Sequence, residues 1–123
     1  MTQKGNEDKF SFEDLEVYKK ALIFVNIIYE ITDKFPNFEM YSLMSQFRRA
    51  AISISLNIAE GSGCSKLEFK RYLNIAKGSI RECVALISLS RVRDYINQDQ
   101  ETRLRTHCVE LSKMLSGLIN YLK

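Results

Sequence analysis

The chain is 123 residues long, 46% hydrophobic and 27% charged, with a net charge of +3 and a single proline. That length allows one domain with a core of its own. No uninterrupted apolar run approaches the roughly 18 residues of a membrane-spanning helix. Residues 1–9 are polar and carry no apolar secretory stretch, so the expected location is cytoplasmic. Charge is unevenly spread. Residues 1–41 hold five Lys and eight acids, a balance of −3, whereas residues 42–93 hold nine Lys/Arg against Glu60, Glu68 and Glu82, a balance of +6. An anionic partner for the middle of the chain is one reading; a solvated surface is the other.

Residues 1–10 read as a disordered tail and residues 11–123 as the folded domain. Ser11, with Glu13, Asp14 and Glu16 behind it, predicts the start of a first helix over about 12–34, since acids favour the positive end of a helix dipole. Its inward stripe is expected to be Leu15, Tyr18, Leu22, Val25, Tyr29 and Thr32. Val17, Ile23, Phe24, Ile27, Ile28 and Ile31 widen the apolar arc past half the circumference. That excess marks Phe24, Ile27 and Ile31 as candidates for contact with a second copy of the chain. Phe35-Pro36 ends the helix.

A second helix is predicted over about 42–60, with Leu43, Phe47, Ala50, Ala51, Ile54 and Ile58 inward and Gly61-Ser62-Gly63 as its break. Ser65 and Glu68 form a capping box that opens a third helix over about 66–96. Gly78 in its middle suggests close approach of another backbone. Asn97 or Asp99 caps a fourth helix over about 99–122, where Leu104, Cys108, Leu111, Leu115, Leu118 and Leu122 repeat in a clean heptad. No segment alternates with the period of a strand. Four helices joined by short turns predict an all-α, antiparallel up-down-up-down four-helix bundle.

Catalytic chemistry has little to build on. His107 is the lone histidine, while a zinc site wants three or four ligands. Neighbouring Cys108 points about 100° away on a helix, which prevents a Cys–His pair. Cys83 and Cys108 fall on apolar faces, where free thiols behave as small hydrophobes. The run Gly61 to Lys66 lacks the spacing of a phosphate loop and reads as a helix stop followed by a cap. No enzyme activity, metal or cofactor is expected.

Two groups of residues are better candidates. Gln46, Arg49, Ser53, Asn57 and Glu60 lie within about 80° of one another on the second helix, as a polar network between helices or a recognition face. Arg48, Arg49, Lys66, Lys70, Arg71, Lys77 and Arg81 form a basic surface on the second and third helices, suited to a phosphate backbone.

Short motifs in order add to this reading. Asp14-Leu15-Glu16-Val17-Tyr18-Lys19-Lys20-Ala21, Phe35-Pro36, and Gln46-x-Arg48-Arg49-Ala50 with Ser53 are followed by Asn57-Ile58-Ala59-Glu60-Gly61, Ser65-x-x-Glu68-Phe69, Ala76-x-Gly78-Ser79 and Glu82. From Phe12 onward the chain resembles the four-helix-bundle proteins encoded in intervening sequences of bacterial 23S ribosomal RNA genes. That resemblance implies a ring-like homo-oligomer, a homopentamer. It also implies kinship with the accessory variability determinants of diversity-generating retroelements, which bind nucleic acid and a reverse transcriptase. The expected function is therefore a non-enzymatic, homo-oligomeric binding protein for RNA or other structured nucleic acid. The alternative is an adaptor for a protein partner such as a reverse transcriptase.

Overall fold

The structure, a computed structural model, describes residues 8–122. Among these it is all-α. Four helices follow one another: α1 Glu16–Thr32, α2 Leu43–Ser62, α3 Lys66–Val92 and α4 Gln98–Tyr121. Short 3-10 turns at Ser11–Asp14 and Asn37–Glu39 precede α1 and α2. Each helix packs on its neighbour in sequence, α2 with α3 most extensively, and α4 closes back more lightly on α1. Among the described residues the backbones of α1 and α3, and of α2 and α4, nowhere approach within 8 Å. None of the described helices is long and apolar enough to cross a membrane.

One core runs through all four helices. It contains Phe24 and Ile28 of α1, Phe47, Ile54 and Ile58 of α2, Leu73 and Ile87 of α3, and Leu104, Leu111 and Leu115 of α4. The heptad read from α4 fits this core, and the thiols of Cys83 and Cys108 are buried in it. Burial pushes both thiols above the usual range, since the thiolate form loses its hydration.

Helix α1 departs from the expected stripe. Leu22 is 45% and Tyr29 38% exposed, while Val17, Ala21, Phe24, Ile28 and Ile31 face inward. An arc this wide gives a helical period but not its phase, which the neighbouring helices set. For the same reason Phe24, Ile27 and Ile31 are not surface for a second copy. They are 0%, 6% and 8% exposed, inside the protomer's own core. Thr32 is buried with its hydroxyl satisfied, donating to the Ile28 carbonyl at 2.7 Å and accepting from Arg48 Nε at 2.8 Å.

The ends of the helices also differ from expectation. Ser11 does not cap α1. It begins a separate 3-10 turn in which the Glu13 carboxylate accepts from the Phe10 N–H at 3.0 Å, and α1 starts after Leu15. The tail expected over residues 1–10 falls largely on residues 1–7, outside the described residues. Helix α2 runs through Gly61, where a Cβ would stand 2.6 Å from Tyr72 Cβ. Glycine therefore lets α3 approach closely here. Gly78, the expected site of close approach, has open space around it instead. Helix α3 stops at Val92 because Asp94 adopts a left-handed conformation, φ 65°. Tyr95 and Ile96, which continue the apolar period, instead seal the core end. Ile96 is buried, and Tyr95 stacks 5.0 Å from Phe35 and donates to Glu39 at 2.7 Å. Asn97 rather than Asp99 caps α4, exchanging hydrogen bonds with Gln100.

Candidate functional site

The seven basic residues expected to form one surface fall on different sides of the bundle. Arg48 lies in the α1–α2 seam. Its Nη2 meets Asp33 at 2.8 Å, and its guanidinium rests 4.4 Å above the Tyr29 ring. With 22% of the side chain exposed, it acts as an internal tie between helices rather than a free cation. Arg49 donates to Gln46 on the same helix at 2.9 Å. Arg71 is held by Glu68 one turn back at 3.0 Å, and that carboxylate raises its pKa.

Lys66, Lys70, Lys77 and Arg81 do belong together. At about 100° per residue they lie within about 60° of one another on α3. Their side of the helix faces α4, because Lys77 Nζ donates to Ser116 at 2.8 Å. Further along the same seam Arg105 Nη2 donates to Ser88 at 2.8 Å, and Arg91 pairs with Glu101 at 3.3 Å. Between these contacts residue numbers rise along α3 as they fall along α4. The seam thus gathers six cations, Lys66, Lys70, Lys77, Arg81, Arg91 and Arg105. Lys66, Lys70 and Arg81 have no side-chain hydrogen bond or ion pair among the described residues. Lys113 lies on the outer side of α4, in a shallow depression with Thr106, Val109 and Glu110. Glu101, at one end, is the acid bound to the seam, and it meets Arg105 at 3.4 Å.

Arg105 was missed because residues 94–123 carry four charges of each sign. Two of the acids lie away from the seam: Glu110 pairs with Lys20 of α1 at 3.3 Å, and Asp99 sits in the first turn of α4. Counting charges by segment hides such a separation, whereas counting them by helix face would have found it.

Four of the five polar residues read on α2 share one groove. Arg49, Ser53, Asn57 and Glu60 line an open groove of about 610 Å³ on the outer side of α2, whose apolar walls are Tyr29, Met40, Ile52 and Leu56. Ser53 and Asn57 also join a network with Ser79 of α3: the two serine hydroxyls are 2.9 Å apart, and Asn57 Nδ2 donates to the Ser53 carbonyl at 2.8 Å and to its hydroxyl at 3.0 Å. Gln46 faces a neighbouring hollow of about 430 Å³ with Leu86, Leu89 and Arg93. Glu39 borders that hollow, its carboxyl held below the usual range by hydrogen bonds from Ser42 and then Tyr95. His107 is half-buried, packs 6.1 Å from Phe24 and has its pKa lowered, first by burial and then by Arg103.

The sequence profile of the 23S rRNA-intervening sequence proteins matches residues 13–117. The chain belongs to that family. Its fold is similar to a crystal structure from Bacteroides thetaiotaomicron VPI-5482, a protein of unknown function from the S23 ribosomal protein family. The TM-score is 0.78 at 26% identity, over 85% of this chain and 95% of that one. No curated protein matches. In this intervening-sequence protein the motif residues quoted from the sequence lie mainly on α1, α2 and the first half of α3. The cations on α4 lie outside them.

Proposed function

We propose that this intervening-sequence protein is a non-enzymatic, cytoplasmic binding protein that holds structured nucleic acid against the α3–α4 seam. The observation that carries the reading is the seam itself: six cations along one side of the bundle, three of them without a partner among the described residues. Unpaired cations on a rigid surface release counterions when phosphates replace them, and that release drives sequence-independent binding. Arg48, Arg49 and Arg71 are left out of this interface.

The reading includes an antiparallel up-down-up-down bundle assembled as a ring-like homopentamer. Opposed numbering along α3 and α4 supports the first part. Exposed Leu22, Ile23 and Leu56 leave apolar surface for the second, replacing Phe24, Ile27 and Ile31. A ring would repeat the seam in every subunit, so that weak contacts add by multivalency.

The test is binding of a structured RNA followed through a salt series. The reading expects affinity to fall steeply as salt rises. Absence of binding at low salt would shift the reading to an adaptor for a protein partner. The groove on α2, with apolar walls and Arg49 and Glu60 at its margins, favours that second reading.

A further inference from the structure

Resting on the ring reading, the charge pattern gives the groove on α2 an occupant, helix α1 of a second copy. We infer that the outer edge of α1, made of Lys19, Ile23, Asn26 and Glu30, lies along Arg49, Ser53, Leu56 and Glu60 of the next protomer. Both sets step by four, three and four residues, so each keeps within about 60° on its helix at about 100° per residue. Laid antiparallel, the two edges match at every position. Glu30 meets Arg49, Asn26 meets Ser53, Ile23 meets Leu56 and Lys19 meets Glu60. Laid parallel, Lys19 would face Arg49 and Glu30 would face Glu60, so the pattern also sets the direction.

Both edges are open in the protomer. Ile23 is 54% and Leu56 55% exposed, and Lys19, Asn26, Glu30, Arg49 and Glu60 are exposed as well. The contacts these side chains make are within one turn of their own helices: Lys19 with Glu16 at 3.6 Å, Asn26 with Glu30 at 3.4 Å and Arg49 with Gln46 at 2.9 Å. Surface contacts of this kind are worth little and exchange readily. The level of the matched pairs bears on closure. Within one copy Arg48 reaches Tyr29, Thr32 and Asp33. In an antiparallel bundle this sets Ile31 about level with Arg48 and, eight residues along each helix, Ile23 about level with Leu56. The contact between copies joins those same two residues. Neighbouring copies are then related by a turn with little rise, and a head-to-tail contact of that kind closes into a ring instead of growing into a filament. Neither helix of the α3–α4 seam takes part, so the seam stays open on every copy.

One exposed ion pair contributes little by itself, so the experiment reverses both ends of the contact together and follows mass by light scattering through a dilution series. Arg49→Glu/Glu60→Lys on α2, and separately Lys19→Glu/Glu30→Lys on α1, set like charges against each other at both ends. Each double variant should keep its helix content by circular dichroism and raise the concentration of half-assembly by about tenfold or more. All four substitutions in one chain restore every match and should return that concentration to the wild-type value. Leu56→Asp puts a charge opposite Ile23 and should dissociate the assembly whatever the end charges are. A wild type that assembles alongside two double variants that assemble equally well would overturn the inference, leave the ring reading standing and free the groove for a protein partner. Pairing of α2 with α2 about a two-fold axis would give that result, because it survives reversal of Arg49 and Glu60 together. A folded fourfold variant that fails to recover would overturn the inference too. A wild type that stays at 14.3 kDa throughout would overturn both the inference and the ring.

Discussion

Gly61→Ala, set against Gly78→Ala, asks whether the α2–α3 seam is as close as the structure has it. At residue 61 a Cβ would stand 2.6 Å from Tyr72 Cβ, 2.9 Å from Phe69 Cδ1 and 3.1 Å from Tyr72 Cγ. Comfortable carbon contacts are about 3.5–4.0 Å. Tyr72 Cβ is fixed to the backbone of α3, so the clash cannot be relieved by turning a side chain. The helices must part by several tenths of an ångström along their most extensive contact. Such overpacking costs about 1–3 kcal/mol, while alanine regains up to about 1 kcal/mol over glycine in a helix. Because residue 61 lies in the last turn, the regain is small and the net expectation is a loss of about 1–2 kcal/mol. At residue 78 nothing lies within 4 Å of the added Cβ. Gly78→Ala should therefore stabilise by up to about 1 kcal/mol. Urea unfolding of both variants, with m-values checked for constancy, reads the difference directly. Equal midpoints, or a Gly61→Ala protein more stable than wild type, would refute the close approach.

Three further outcomes are expected. Leu111→Ala and Leu115→Ala, each at a core position 1% exposed or less, should each cost about 2–5 kcal/mol in denaturant unfolding; midpoints that barely move would contradict the facing of α4. In the folded protein a thiol reagent should label exposed Cys64 quickly and spare Cys83 and Cys108, whose thiolates are disfavoured by burial; rapid labelling of all three would show an open core. For His107 the folded-state pKa lies below the ordinary 6.5, so the unfolded chain takes up a proton first. Stability should then decline as pH falls below about 6.5 and level off below the folded pKa. His107→Gln should remove that part of the pH profile, and an unchanged profile would assign it to other groups.

Local signals made the four helices legible in the sequence. The Ser65 and Asn97 caps stand where the chemistry of helix ends puts them, with the Ser65 hydroxyl accepting the Glu68 N–H at 3.2 Å, although the Glu68 carboxylate turns to Arg71 and does not complete the box read from the sequence. The phase of α1 was not legible, because eleven apolar residues around one helix leave several faces equally suited to a core. Gly61 read as a helix break and Gly78 as the close approach, the reverse of what the packing makes of them. Only the position of Tyr72 on the neighbouring helix separates a glycine that permits contact from one that faces open space. Half of the candidate site was readable. The spacing of Lys66, Lys70, Lys77 and Arg81 puts them on one face of a helix, but that Arg105 of α4 joins them depends on how α3 and α4 meet. Arg48 looked like surface charge until the fold placed Asp33 and Thr32 against it.

The most direct measurement of the central claim is affinity for a structured RNA at low salt, for two variants side by side. Lys66→Glu/Lys70→Glu/Arg81→Glu reverses three unpartnered cations of the α3–α4 seam and leaves the Lys77–Ser116 bond in place. Arg49→Glu reverses one cation on the opposite side, beside the α2 groove. If the seam is the interface, the triple variant should lose affinity by at least about a hundredfold, with a salt slope shortened by about three, and Arg49→Glu should bind as wild type does. A triple variant that binds normally, or an Arg49→Glu variant that loses as much, would contradict the assignment of the seam.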